Sequence, residues 1–231
     1  MPYQLSKSKL QSHAQCSRRL WLEVHQRDAA QPDEFTELNL ARGITFGDAI
    51  RSCFPEGRLI KACGPDEAVH QTRMLFDRFA NGEPRSPVFE AAFGYGDVVI
   101  YADVLEPCAD GSWCLLEIKS ATIKPHEPPK QHYVRDVATQ AWVLRRCGLP
   151  ISRVELGQAN RDFVLPRNRR IEGILRRVDV TAQAVALAEE IERSVDAALE
   201  TVRLPQEPQR LVGSQCKAPN KCPFVSHCSG A

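Results

Sequence analysis

The chain has 231 residues, enough to bury a substantial core without disulfide staples, and its 43% hydrophobic and 26% charged composition is that of a folded globular protein rather than a disordered one. A formal net charge of +1 supplies no overall pull on nucleic acid, so any such binding must come from a locally basic face. No apolar run approaches a membrane span, and residues 1–10 lack the apolar stretch of a secretory signal. The expected setting is a reducing cytoplasm with no membrane partner, where nine cysteines are thiols or metal ligands rather than disulfides.

In chain order, Ser6-Lys7-Ser8-Lys9 precedes Leu10, Cys16, Leu20, Trp21 and Val24, whose spacing predicts one helix that is opened by a serine cap and ends in a loop near residues 28–33. A second helix is expected over 45–53, broken by Pro55-Glu56-Gly57, and a third from Asp66 to 79, closed by Asn81-Gly82. Residues 1–85 thus read as helical. Segments 88–93, 98–105 and 113–118 are rich in β-branched and aromatic residues and predict three strands, the last two a hairpin turned by Asp110-Gly111. After a proline-broken stretch at 125–129, Val134, Val137, Ala141 and Leu144 mark a helix ending near Gly148. Residues 153–158 and 162–166 are candidate edge strands. The longest helix is expected over 181–202, stopped by Pro205 and Pro208. This order makes a single α/β domain over 1–231, with its strand-rich core at 86–166, a helical part at 167–205 and a cysteine-bearing segment at 206–231.

Asp103 falls on the second strand, and Glu117-Ile118-Lys119 closes the third. Residues two apart on a strand share a face, so Glu117 and Lys119 point the same way. If the turn pairs Glu106 with Ser112, Asp103 comes opposite Leu115 with Glu117 as a diagonal neighbour. Two carboxylates and an ammonium then converge, a set suited to Mg²⁺ or Mn²⁺ and a phosphate. The Ile118 carbonyl is a further candidate ligand. Read alone, the tripeptide is also what a solvent-facing hairpin carries. Near the end of the chain, Cys216, Cys222 and Cys228 stand at C-x5-C-x5-C spacing, three thiols that need a fourth ligand to hold zinc or an iron-sulfur cluster.

Tyr101-Ala102-Asp103 followed by Glu117-Ile118-Lys119 resembles the PD-(D/E)XK nuclease superfamily, with Ala102 where a proline often stands. Asp136-Val137-Ala138-Thr139-Gln140 resembles the glutamine motif of its RecB-like branch, with Leu144 in the place of a tyrosine. Glu90-Ala91-Ala92-Phe93 is similar to an acidic element ahead of the metal aspartate, and Gly47-Asp48-Ala49-Ile50-Arg51 occupies the place of an early histidine. One early cysteine, Cys16, with three near the end, and the closing run Cys222 to Cys228, resemble the iron-sulfur nucleases of that branch, among them AddB-type domains and the exonucleases of CRISPR adaptation.

The resemblance implies a restriction-endonuclease-like mixed sheet flanked by helices. Asp103, Glu117 and Glu90 would bind metal, Lys119 would complete the catalytic site, and Gln140 would position water or strand. Cys16, Cys216, Cys222 and Cys228 would hold a structural 4Fe-4S cluster. It further implies an exonuclease acting on single-stranded DNA, with a DNA-processing complex as a possible setting. Two alternatives stay open: an inactive nucleic-acid-binding relative, and a zinc-stabilised interaction module in which His227 replaces one thiol. Lys7, Lys9, Arg18, Arg19, Arg145, Arg146, Arg167, Arg169 and Arg170 are candidates for a phosphate path or simply a solvated surface. Trp21 and Trp142, at apolar helix positions, read as core. Cys53, Cys63, Cys108, Cys114 and Cys147 read as buried thiols.

Overall fold

The computed structural model describes residues 4–31, 34–124, 127–164 and 173–230. Its strands are β1 (Leu5–Ser6), β2 (Arg58–Leu59), β3 (Val88–Tyr95), β4 (Val98–Pro107), β5 (Trp113–Ile123), β6 (Ile151–Asn160) and β7 (Leu175–Asp179). They form one seven-stranded mixed sheet in the order β2-β3-β4-β5-β6-β7, with β1 on β4. The β1/β4, β2/β3 and β5/β6 pairs are parallel, and β3/β4, β4/β5 and β6/β7 are antiparallel.

The helices are α1 (Lys7–Gln15), α2 (Ser17–His25), α3 (Glu34–Arg51), α4 (Pro65–Ala80), α5 (Gln131–Arg146), α6 (Thr181–Ala186), α7 (Ala188–Arg203) and α8 (Val225–Ser229). Helix α5 packs across β3, β4, β5 and β6. Its buried stripe, Val134, Val137, Ala138, Ala141 and Leu144, joins Ile100, Ala102, Leu115, Val154 and Leu156 in the main core. The opposite face carries a smaller cluster built on Phe89, Val104 and Leu116. Trp21 and Trp142 are buried, as their spacing implied. Among the described residues no helix is long and apolar enough to cross a membrane.

Several expectations are corrected. The region before residue 86 is not purely helical, because Leu5–Ser6 and Arg58–Leu59 join the sheet. The expected first helix is two helices, with Cys16 between them in extended backbone (φ −166°, ψ 122°). Ser6 does cap α1, its hydroxyl accepting from the Lys9 amide at 3.4 Å. The third helix is capped by Gly64 with Pro65 at its first position, leaving Asp66 in the first turn. The long helix after Thr181 breaks at Leu187. Residues 162–164 form no strand, and 165–166 lie outside the described residues; the edge strand is β7, whose charged sequence Leu-Arg-Arg-Val-Asp hides it.

The β4/β5 hairpin is shifted by two residues from the expected register: Glu106 pairs with Cys114 and Leu105 with Leu115. The reason lies in the turn, where Cys108 bonds back to Ser112 at 2.9 Å and the Asp110 carboxylate accepts from the Ser112 amide, so Ser112 belongs to the loop. Because the shift is even, each side chain keeps its face. Of the five other cysteines only Cys114 is buried; Cys63 and Cys147, in a loop and at the end of α5, are exposed.

Candidate functional site

The site lies where β4 and β5 separate. Their pairing stops at Val104 opposite Leu116. Farther back along β4 the same edge is taken by β1, which pairs at Val98 and Val99 and delivers Lys7 at the start of α1. Continuing the two ladders sets Glu90 across from Asp103 on one side and Glu117 on the other. The alternation of core positions also slips here: Ile100 and Ala102 face the main core, but beyond Asp103 it is Leu105 that does so, and on β3 Val88 is followed by Ala91. Glu90 supplies the break with φ of +54°, the one non-glycine residue in that region among those described. Such a conformation costs of order 1–3 kcal/mol and concentrates at functional sites.

Glu117 is buried, and both its oxygens are engaged. Oε1 accepts from Lys7 Nζ at 2.8 Å and Lys119 Nζ at 2.6 Å, while Oε2 accepts from the Gln140 amide. Lys119 also pairs with Asp136, and Lys7 stands 3.8 Å from the same carboxylate. Asp103 Oδ2 accepts from the Ile118 amide at 2.7 Å. On α5, Asp136 and Gln140 are four residues apart and so share a face turned to β5. Their remaining oxygens, Asp136 Oδ1 and Gln140 Oε1, are buried without a hydrogen-bond partner.

Sequence reading thus brought together Asp103, Glu117, Lys119 and Gln140, and the structure adds Lys7 and Asp136. Gln140 is fully buried and meets the site only through Glu117. Glu90 is at the margin, 3.9 Å from Arg51, which also pairs with Asp48. A guanidinium therefore reaches Glu90 from the segment Gly47 to Arg51. Leu144 is buried in the core and offers no contact to a ligand.

Charge and burial compete strongly here. Burial and the neighbouring Glu117 push the Asp103 carboxyl up to about 8, against the pull of Lys7 and Lys119. Burial would also raise Glu117, but Lys7, Lys119 and the Gln140 amide hold it far below the usual carboxylate range. Asp136 is raised by burial and by Glu117. Burial alone would lower both lysines; Glu117 and Asp136 instead hold them well above the ordinary range. Glu90 is raised by burial.

These oxygens suit a hard divalent cation in kind, and the unpartnered oxygens of Asp136 and Gln140 add acceptor capacity. An ammonium must leave Glu117 Oε1 for a cation to take that oxygen. Among the described residues no three His, Cys, Asp or Glu side chains form a ready shell for one metal ion.

A cleft of about 570 Å³ opens beside the cluster between α1, α5 and α7. Lys7, Lys119 and Asp136 line one part of it, and Arg19, Pro219 and Asn220 another. Of the basic runs, Lys7 reaches the carboxylates and Arg19 lines the cleft, held by Glu23 and Gln15. Arg146 instead pairs with Glu192, and Lys9 donates to the Gln4 carbonyl. Arg167, Arg169 and Arg170 lie outside the described residues.

Cys16, Cys216, Cys222 and Cys228 line one small cavity, and none forms a disulfide. The extended backbone at Cys16 turns its side chain out of the helical path, and the Cys222 amide bonds to the Cys216 carbonyl at 2.9 Å. Trp21, Leu22 and Phe224 pack around the group. Gln15 ties the two chain ends with bonds to the carbonyls of Gln215 (2.6 Å) and Asn220 (2.7 Å). Burial raises the Cys222 and Cys228 thiols, while Arg19 and Arg18 respectively favour their thiolates. His227 contacts Glu207 through Nε2 at 3.3 Å, a partner that would orient the ring equally well if Nδ1 took a metal. Four thiols on one cavity match in kind and number the donors of a cubane cluster, while no three of them stand together as ligands of a single ion.

At this level the chain is an α/β protein: a mixed sheet flanked by helices, with a buried acid-lysine cluster beside a cleft and a cysteine-lined cavity joining its ends. No family model and no curated protein matches it. Among the solved structures that align with it is the crystal structure of SSO0001, at 14% identity over 89% of this chain and 87% of that one, with a TM-score of 0.36. That likeness is too loose to bear on the chemistry.

Proposed function

We propose that this chain is a divalent-metal-dependent nuclease that hydrolyses single-stranded DNA from an end, with a 4Fe-4S cluster fastening its two ends. The observation that carries the reading is the convergence of Asp103, Glu117 and Lys119, from two strands that part, beside a cleft of about 570 Å³. The resemblance to RecB-like PD-(D/E)XK nucleases in the order of these residues supports DNA as the substrate, and a DNA-processing complex as the setting.

In this reading Asp103 and Glu117 hold Mg²⁺ or Mn²⁺, with the Ile118 carbonyl and Glu90 as further donors. When bound, such a cation stabilises charge on the phosphate and acidifies a water. Lys119 faces the reacting phosphate and offsets the charge that builds on it. Gln140 acts as a positioning residue, fixing the rotamer of Glu117. Asp136 holds Lys119. Hydrolysis joins the water oxygen to phosphorus, breaks the bond to the leaving oxygen and transfers a proton to that oxygen. Cys16, Cys216, Cys222 and Cys228 would bind one iron each of the cluster, in a structural role.

A second reading, a relative that binds nucleic acid without cutting it, is favoured by the full occupation of Glu117 by Lys7, Lys119 and Gln140. Anaerobically purified protein separates the two. The nuclease reading expects cleavage of single-stranded DNA with Mn²⁺, none with EDTA, and iron with acid-labile sulfide. Binding without cleavage under every divalent metal contradicts it, and stoichiometric zinc without iron removes the cluster.

A further inference from the structure

The cleft has no assigned occupant, and its composition is specific. Its floor at the α5 end presents Tyr133, half-buried, with Lys119 Nζ over its ring at 5.4 Å, Lys130 Nζ over it at 5.9 Å and His132 edge-on at 4.3 Å, so a base that stacks on the ring displaces an ammonium. Arg135 lies on the same wall, and Lys7 and Lys119 stand where the cleft meets Glu117. At the other end the chain ends close together, through the bonds of Gln15 to Gln215 and Asn220. A volume of about 570 Å³ suits a drug-sized ligand, the scale of a nucleotide unit rather than a helix.

An aromatic face with cations beside a pocket of that size is the equipment of a base-stacking site: the ring takes the base and the ammonium groups take the adjoining phosphate. Leu144, buried in the core, cannot act as such a platform. Tyr133, near the opposite end of α5 and beside the reactive lysine, can. We propose that the cleft between α1, α5 and α7 is a terminal-nucleotide pocket. Tyr133 stacks on the last base of a single strand and sets the scissile phosphate against Lys119. The inference rests on the nuclease reading and adds to it that the released product is short, one or two nucleotides, because the pocket measures from the strand end.

The test uses single-stranded oligonucleotides with 2-aminopurine either at a terminal base, 5′ or 3′, or in the middle. Fluorescence is read with the full-length protein in EDTA, and KM and product length are read with Mn²⁺. Quenching of one terminal label and not the internal one is expected. Tyr133→Leu, which keeps apolar bulk against the core, should abolish that quenching and raise KM on the order of tenfold, the worth of one stacked base. Tyr133→Phe should behave as the unaltered protein. Equal quenching of terminal and internal labels, or a Tyr133→Leu protein indistinguishable in quenching and KM, overturns the pocket while leaving the nuclease reading standing. A protein that never cuts overturns the nuclease reading, and the quenching measurement then decides the pocket by itself.

Discussion

The acid-lysine cluster and the cysteine cavity are assembled in opposite ways. Asp103, Glu117 and Lys119 lie on neighbouring strands, so their relation is set by a hairpin and by the point where it opens. Cys16 and the trio Cys216, Cys222 and Cys228 meet only because Gln15 and the packing of Trp21 and Phe224 draw the chain ends together. The first arrangement is held by the sheet itself and tolerates loss of one functional group. The second is a tertiary closure in which, on the proposed reading, cluster binding and stability would be one quantity. Activity should therefore fail in one region without unfolding, and stability in the other without direct damage to the chemistry.

The largest effects are expected at the carboxylates. Asp103→Asn and Glu117→Gln should each lower Mn²⁺-dependent cleavage on the order of a thousandfold, several kcal/mol of barrier. The double variant should be scarcely worse if, as proposed, both serve one cation. Steady-state cleavage of end-labelled strands checks this, and iron content in the same preparations should be unchanged. Cys16→Ser sharpens the contrast from the other side: iron is lost and thermal stability drops by several kcal/mol. Unaltered iron in that variant would remove Cys16 from the site.

Lys119→Ala blurs the division. It should abolish cleavage, yet its ammonium pairs with both Glu117 and Asp136 in a largely buried setting, so roughly 3 kcal/mol of stability should go with it. Denaturant unfolding measures that loss. Lys7→Gln should act in two directions at once, tightening Mn²⁺ binding in calorimetry by removing a competitor from Glu117 Oε1 while slowing cleavage. A lysine with a merely structural role would weaken both.

A further effect is in pH. Because the folded Asp103 carboxyl is raised to about 8, the folded state holds a proton that the unfolded state has released, and its contribution to stability is lost as pH rises from about 5 to 8. Glu117, depressed by its lysines, has the opposite sign: its contribution is present above the ordinary glutamate range and fades only in acid. Without divalent metal the melting temperature should thus decline over that window, and Asp103→Asn should flatten the decline. Mn²⁺ affinity should rise over the same range as Asp103 gives up its proton.

What the residues alone revealed follows from how local each feature is. The three central strands and the common face of Glu117 and Lys119 depend on period-two patterning, and they were legible even though the register was misplaced by two residues. Asp136 was also within reach: it sits four residues before Gln140 on a helix whose neighbouring positions are apolar, the mark of a buried charge with a partner. Lys7 was not. It lies 110 residues from Glu117 and is delivered by a two-residue strand with no sequence signature. Nor was the slip at Glu90 and Asp103, since a left-handed glutamate carries no signal of its own. The break at Cys16 was hidden by apolar spacing that runs unbroken through it.

The central claim, that the two regions are separate devices for chemistry and for closure, is tested most directly by measuring cleavage and the iron-sulfur absorption of Asp103→Asn beside the unaltered protein, purified anaerobically and assayed with Mn²⁺ on end-labelled single-stranded DNA. The account predicts an unaltered protein that cuts and a variant that is equally brown, binds the strand and does not cut. Cleavage at full rate by Asp103→Asn, or loss of its colour along with its activity, would contradict it.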